Sequence, residues 1–198
     1  MSIAIINGSP KKKKSATNVL LQIFNKELDQ DKNIFYGLTE ETKESLIKSD
    51  VWIIAFPLYV DGIPSNMIQI MRDIDNLKIG NSNKKIYAIV NCGFHEGRQS
   101  KTALKVVENW CERCGCEYAG GIGAGGCGFL ADLRSTFLYK PLTRRLRKNI
   151  KILSENINKK MSFKNIFTSI SLPRWLYLNY LNLGWLYMIK TGKVVIQK

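Results

Sequence analysis

The stretch Ile5–Phe24, "IINGSPKKKKSATNVLLQIF", decides how the rest of the chain is read. An apolar run stops at Gly8-Ser9-Pro10, four lysines follow, and the chain resumes at Ser15-Ala16-Thr17 with a helical pattern. Against the nucleotide-loop pattern G-x-x-x-x-G-K-[ST], Lys13 stands where the second glycine belongs. That glycine lets backbone wrap the phosphates of a nucleoside triphosphate, which also needs a metal-holding acid at the end of a second strand. The later apolar strands at 51–56 and 85–91 end in Phe56 and Asn91, with no aspartate. A nucleoside triphosphatase is not expected on either count. What remains is hydroxyls at Ser9, Ser15 and Thr17 and free N–H groups at a helix N-terminus, donors suited to one terminal phosphate. A simple helix cap by Ser15 or Thr17, with no ligand, is the plainer alternative.

Working outward, "SIAIIN" before the loop is apolar enough for a strand buried on both faces. Thr17–Leu28 places Val19, Leu20, Ile23, Phe24 and Leu28 on one helical face. A weak strand at 33–38, a short helix at 41–49, a strong strand at 51–56 and a helix starting at Pro64 follow. A strand at 85–91, a helix capped by Ser100 and a fifth strand at 117–121, running into the glycine loop "GGIGAGGCGF", complete the pattern. Strands alternating with helices about every thirty residues predict an α/β fold with a parallel sheet covered on both faces. Right-handed crossovers make it doubly wound, and five strands suit the flavodoxin-like order. From Asp132 on, two helical segments are expected, a basic one to about Lys160 and the aromatic "LPRWLYLNYLNLGWLYMIKTGK". The chain thus divides into a body, 1–133, and a helical C-terminal extension, 134–198, packed on the body or on a dimer partner.

Composition bounds the function. A chain of 198 residues with 45% hydrophobic content holds one substantial core. No signal peptide is expected, and no apolar run is long enough to span a bilayer. Five cysteines, an odd and mostly clustered set, fit a reducing cytoplasm better than a disulfide framework. Cys111, Cys114 and Cys116 lack a second ligand pair, and His95 is the only histidine, so no metal site is expected. Of the net charge of +14, residues 134–198 supply +13 (14 Lys+Arg against Glu155) and residues 1–133 supply +1. That excess is a solvated face, an attractor for anionic cofactor phosphates, or a weak contact with an anionic membrane surface. No nucleic-acid recognition module accompanies it.

In a doubly wound sheet, ligands sit where the carboxyl ends of the strands open into loops. Gly8–Thr17, Pro57–Pro64 and Cys92–Ser100 all occupy that edge. "FPLYVDGIP" offers apolar and aromatic surface with backbone amides at Leu58–Val60, and "NCGFHEG" offers amides at Gly93 and Phe94. A planar heterocycle clamped by two such loops and tethered by one phosphate describes FMN. Tyr59 and Phe94 could equally be aromatics that only pack the loops. His95 lies at the pocket mouth, as a loop residue or a proton donor.

"NGSPKKKKSATNVLL", "FPLYVDGIPSNM" and "NCGF" together resemble the flavodoxin-like NAD(P)H-dependent FMN reductases (flavin oxidoreductases), over about residues 1–130. The resemblance implies that Ser9, Lys11, Ser15, Ala16 and Thr17 hold the FMN phosphate. It implies that Pro57, Leu58, Tyr59 and Val60 line the isoalloxazine, with Asn91, Cys92, Gly93 and Phe94 along its pyrimidine edge. It further implies hydride transfer from NADH or NADPH through FMN to a small-molecule acceptor (a flavin, quinone or similar), no catalytic side chain, and a homodimer. Some relatives carry a cysteine cluster for an iron–sulfur centre after the second helix; Glu40–Trp52 has no cysteine, so none is expected.

Overall fold

The computed structural model describes residues 1–28, 32–77 and 84–192. Its frame is one parallel sheet of six strands: β1 (Ile3–Asn7), β2 (Lys32–Phe35), β3 (Val51–Pro57), β4 (Lys85–Asn91), β5 (Glu117–Gly125) and β6 (Ile166–Ser169). The spatial order is β2-β1-β3-β4-β5-β6, every neighbouring pair parallel. The helices are α1 (Ala16–Lys26), α2 (Glu40–Lys48), α3 (Ser65–Asn76), α4 (Lys101–Arg113), α5 (Leu130–Leu133), α6 (Tyr139–Leu142), α7 (Arg144–Asn158) and α8 (Arg174–Lys190).

The alternating side chains of each strand feed two cores. On one face Ile3, Ile5, Ile53, Tyr87 and Ile89 pack with α1 (Leu20, Phe24) and α7 (Leu146, Ile150, Leu153, Ile157). On the other, Ile6, Trp52, Ile54, Phe56 and Val90 pack with α3 (Met67, Ile70) and α4 (Leu104, Val107). The all-buried runs of β1 and β3 reflect this two-sided cover.

The expected doubly wound α/β fold is present, but with six strands rather than five. β6 lies inside the segment read as helical and lengthens the sheet beyond β5 through Ile122–Gly125. The extension therefore supplies an edge strand and, in α7, the partner of α1 on one face. The glycine run also differs from the expected loop, because its first half is strand. Gly121, Gly123 and Gly125 belong to β5, where a Cβ on Gly125 would meet the His95 carbonyl and a Cβ on Gly97 the Gly123 carbonyl. The glycines of β5 bring the loop after β4 down onto that strand. Ser100 does not cap α4: it ends a 3-10 turn, Gly97–Ser100, and makes no side-chain capping bond.

β1 is flanked by β2 on one side and β3 on the other, so the chain leaves β1 in opposite directions at that point. The crevice this opens at the carboxyl ends of β1 and β3 is where a doubly wound sheet takes its ligand.

Candidate functional site

The loop after β1 is shaped by its own polar groups. The Asn7 side-chain carbonyl accepts the Ser9 N–H at 3.0 Å, and the Gly8 N–H donates to the Ala55 carbonyl at 2.7 Å, pinning the turn to β3. The lysines form a 3-10 turn, Lys12–Lys14, and Ser15 caps α1. Its hydroxyl donates to the Lys12 carbonyl at 2.6 Å and accepts the Asn18 N–H at 3.1 Å. The Thr17 hydroxyl donates to Asn91 Oδ1 at 2.7 Å, stitching this loop to the end of β4. Both hydroxyls are thus engaged within the protein. Ser9 is different: it is 2% exposed and its hydroxyl has no partner. A buried hydroxyl without a partner is costly, and the cost disappears when a ligand accepts its proton. Beside it, the first N–H groups of α1, at Ala16 and Thr17, precede the first one that the Ser15 cap satisfies.

After β3, the chain makes a tight turn closed by Tyr59 N–H to Gly62 C=O at 3.0 Å and the reverse bond at 2.9 Å. Val60 and Asp61 sit at its tip with φ of 48° and 58°. That left-handed geometry normally takes Asn-Gly, and for a β-branched valine it is strained. The expected row of free amides at Leu58–Val60 is therefore only partly there. The Leu58 N–H donates to the Asn91 carbonyl at 2.7 Å and that of Tyr59 is used in the turn.

The loop after β4 is held from two sides. From the residues just after β5, Gly126 N–H donates to the Phe94 carbonyl and Cys127 N–H to the Cys92 carbonyl. From the start of α8, the Tyr177 hydroxyl donates to the Gly93 carbonyl, Leu172 C=O meets His95 Nε2 at 2.8 Å, and Arg174 pairs with Glu96 at 2.6 Å. The His95 ring packs tilted against Tyr177, with ring centroids 5.5 Å apart. Its Nε2 is thus engaged by the chain entering α8, and His95 is not among the residues lining the cleft.

These loops enclose one cleft of about 380 Å³. Eleven of the thirteen expected residues line it: Ser9, Lys11, Ser15, Ala16, Thr17, Pro57, Leu58, Tyr59, Asn91, Cys92 and Gly93. Val60 and Phe94 do not; Val60 is fully exposed at the turn tip and Phe94 is half exposed away from the lining. The cleft adds five residues the sequence left unassigned, Lys14, Cys127, Gly128, Ala131 and Asp132. Cys127 and Gly128 come from the loop after β5, whose glycines masked where strand ends and loop begins, and Ala131 and Asp132 come from α5. Burial pushes the Cys92 and Cys127 thiols up from the usual range, so both are neutral where they line the cleft. Among the described residues no cluster of His, Cys, Asp or Glu could hold a metal ion.

The residues present fit a flavin phosphate. An unpartnered buried hydroxyl, two helix-terminal N–H groups and two rim lysines supply donors and positive charge, and the one carboxylate on the lining, Asp132, is exposed to solvent. Pro57, Leu58 and Tyr59 supply apolar surface beside them.

No protein-family model and no curated relative matches the chain. Solved structures do, at low identity and over most of their length. A flavodoxin from Streptococcus pneumoniae is 14% identical, covers 81% of this chain and all of its own, and superposes with a TM-score of 0.56. An NADPH-quinone reductase from P. pentosaceus is 15% identical over 79% of this chain and 97% of its own, with a TM-score of 0.57. An NADH:FMN oxidoreductase in its apo form is 12% identical over 81% and 90%, with a TM-score of 0.58. The chain has the flavodoxin-like fold.

Proposed function

We propose that the chain binds FMN in the cleft at the β1/β3 switch point and works as an NAD(P)H-dependent flavin oxidoreductase. The observation that carries the cofactor is the Ser9 hydroxyl, buried and unpartnered in the one loop whose neighbours are helix-terminal N–H groups. Similarity to an NADPH-quinone reductase and an NADH:FMN oxidoreductase supports the redox assignment. When bound, the flavin supplies the chemistry, accepting a hydride from NADH or NADPH and delivering the electrons to a quinone, flavin or similar acceptor.

The chain's own residues bind and orient. Ser9 and the N–H groups of Ala16 and Thr17 receive the phosphate, with Lys11 and Lys14 balancing its charge. The bond from Thr17 occupies Asn91 Oδ1, which leaves the Nδ2 donors of Asn91 for a ring carbonyl. Leu58 and Tyr59 offer apolar surface to the ring. The neutral thiols of Cys92 and Cys127 bring no competing charge or nucleophile to the cleft. A second copy of the chain belongs to the same proposal, and sedimentation of the flavin-loaded protein checks it.

Purified protein should be yellow, or become so with FMN, and should oxidise NADH or NADPH when given a quinone, flavin or azo acceptor. Protein that neither retains nor takes up FMN refutes the cofactor. Flavin-loaded protein with no turnover for any such acceptor is an electron carrier and not a reductase.

A further inference from the structure

α8 breaks the pattern of every other long helix. Only Tyr177 on it is buried, while Trp175, Leu183, Trp185 and Leu186 are 65%, 67%, 53% and 54% exposed. A seventeen-residue helix of this kind offers an apolar surface about 25 Å long. Soluble monomers rarely leave so large a patch to water, so this surface needs an occupant.

Three features decide which. The first is composition: tryptophans, tyrosines and two asparagines interleave with the leucines. No described helix is long and apolar enough to cross a membrane, whereas amphipathic rings bounded by Arg174 and Lys190 suit the headgroup layer. The second is charge. Residues 134–198 hold 14 Lys+Arg against the single acid Glu155, and Arg144, Arg145, Lys148 and Lys151 stand exposed on α7. Joining two copies through α8 would bring two such segments together, while an anionic lipid surface complements them. The third is attachment. The first turns of α8 are tied to the body through Tyr177 to Gly93, Arg174 to Glu96 and the Phe129–Tyr180 ring pair, centroids 4.8 Å apart. A helix held rigidly at one end presents its outer face in a fixed orientation.

We propose that α8 is an interfacial helix that seats the protein on anionic membranes, its exposed aromatic and aliphatic side chains entering the headgroup layer and the basic residues of α7 and of the two ends of α8 engaging lipid phosphates. The rim of the cleft at Gly93 and Gly128 then lies beside the membrane.

The test is co-sedimentation of the full chain with vesicles of phosphatidylcholine alone or with equal parts phosphatidylglycerol. The wild type should sediment with the anionic vesicles only, less so as salt is raised, with a blue shift of tryptophan emission. L183E/W185E/L186E should abolish binding, and R144Q/R145Q/K148Q/K151Q should weaken it by roughly a hundredfold or more. All seven positions are exposed, so far-UV circular dichroism and melting should match the wild type; if the triple variant unfolds, W185E alone serves. Failure of the wild type to bind either vesicle overturns the proposal, as does equal binding to both or an α8 variant that binds like wild type. A solution dimer that the α8 variant converts to monomer, without lipid binding, would identify a second copy as the occupant. None of these readouts depends on bound flavin.

Discussion

Replacing Ser9 by alanine tests the cleft at its most specific point. The Ser9 hydroxyl is 2% exposed and makes no hydrogen bond, while the backbone N–H of the same residue is held by Asn7 at 3.0 Å. S9A keeps the turn and removes one unsatisfied donor. In the flavin-free protein the loss should be neutral or slightly stabilising, within about 0.5 kcal/mol, because no partner is stranded. With FMN bound, the same hydroxyl donates to a charged phosphate, a bond that contributes about 1.5–3 kcal/mol. The expected effect is therefore a roughly ten- to hundredfold weaker FMN dissociation constant. Riboflavin lacks the phosphate, so its affinity should be unchanged. Quenching of flavin fluorescence gives both constants, and urea titration gives the stability. Wild-type FMN affinity in S9A would refute the assignment of Ser9 to the phosphate. Equal losses for FMN and riboflavin would refute it too, since they would point to a general collapse of the loop.

Three other perturbations probe the frame around the cleft. G125A places a methyl against the His95 carbonyl and the Gly97 amide nitrogen; it should cost about 1–3 kcal/mol in urea unfolding and weaken FMN binding by displacing the loop after β4. Burial pushes the Tyr87 phenol from 10.0 up to about 12 and the Cys114 thiol from 9.0 up to about 12, with Cys111, Cys127, Tyr118 and Tyr177 shifted the same way. The unfolded chain ionises these groups first, so stability is whole below about pH 9 and falls as pH rises towards about 12; a urea midpoint level across that window contradicts the burial. A chain ending at residue 133 loses the buried Leu146, Ile150, Leu153 and Ile157 of α7, each contributing about 1.5–3 kcal/mol, and should show no cooperative melt by circular dichroism.

Much of the site was legible because the first loop declares itself chemically. Hydroxyls placed between an apolar strand and an amphipathic helix fix both the turn and the helix start, and Ser15 and Thr17 fall where expected. What pattern could not supply was direction. Val60 and Phe94 lie in the right loops but point away, since a turn at φ of 48° throws the Val60 side chain outward. Nor does a list of hydroxyls reveal which one is free. Ser9 is singled out only because Asn18 and Asn91 claim the other two. β6 was hidden for another reason: "IFTS" is four residues at a sheet edge, too short for a period of two to show. The strand content of β5 was obscured by glycines, which disfavour strands on propensity alone and are required there by the neighbouring backbone.

The loop after β4 shows why the body and the extension form one energetic unit. Gly93 lines the cleft, yet its carbonyl is satisfied by Tyr177, eighty-four residues later, whose ring is 1% exposed and packed on His95 and Phe129. The Glu96–Arg174 pair beside it is largely in water and adds little, which leaves the buried Tyr177 contact as the principal tie between this loop and α8. Freed of it, the loop would keep its bonds at Cys92 to Ala124 and at Phe94 to Gly126 but lose the packing of the buried Tyr177 ring. The same aromatic side chain therefore holds a residue of the cleft lining and anchors the start of α8. A residue chosen only to pack a core would not need its hydroxyl; here the hydroxyl joins the two surfaces through a single carbonyl.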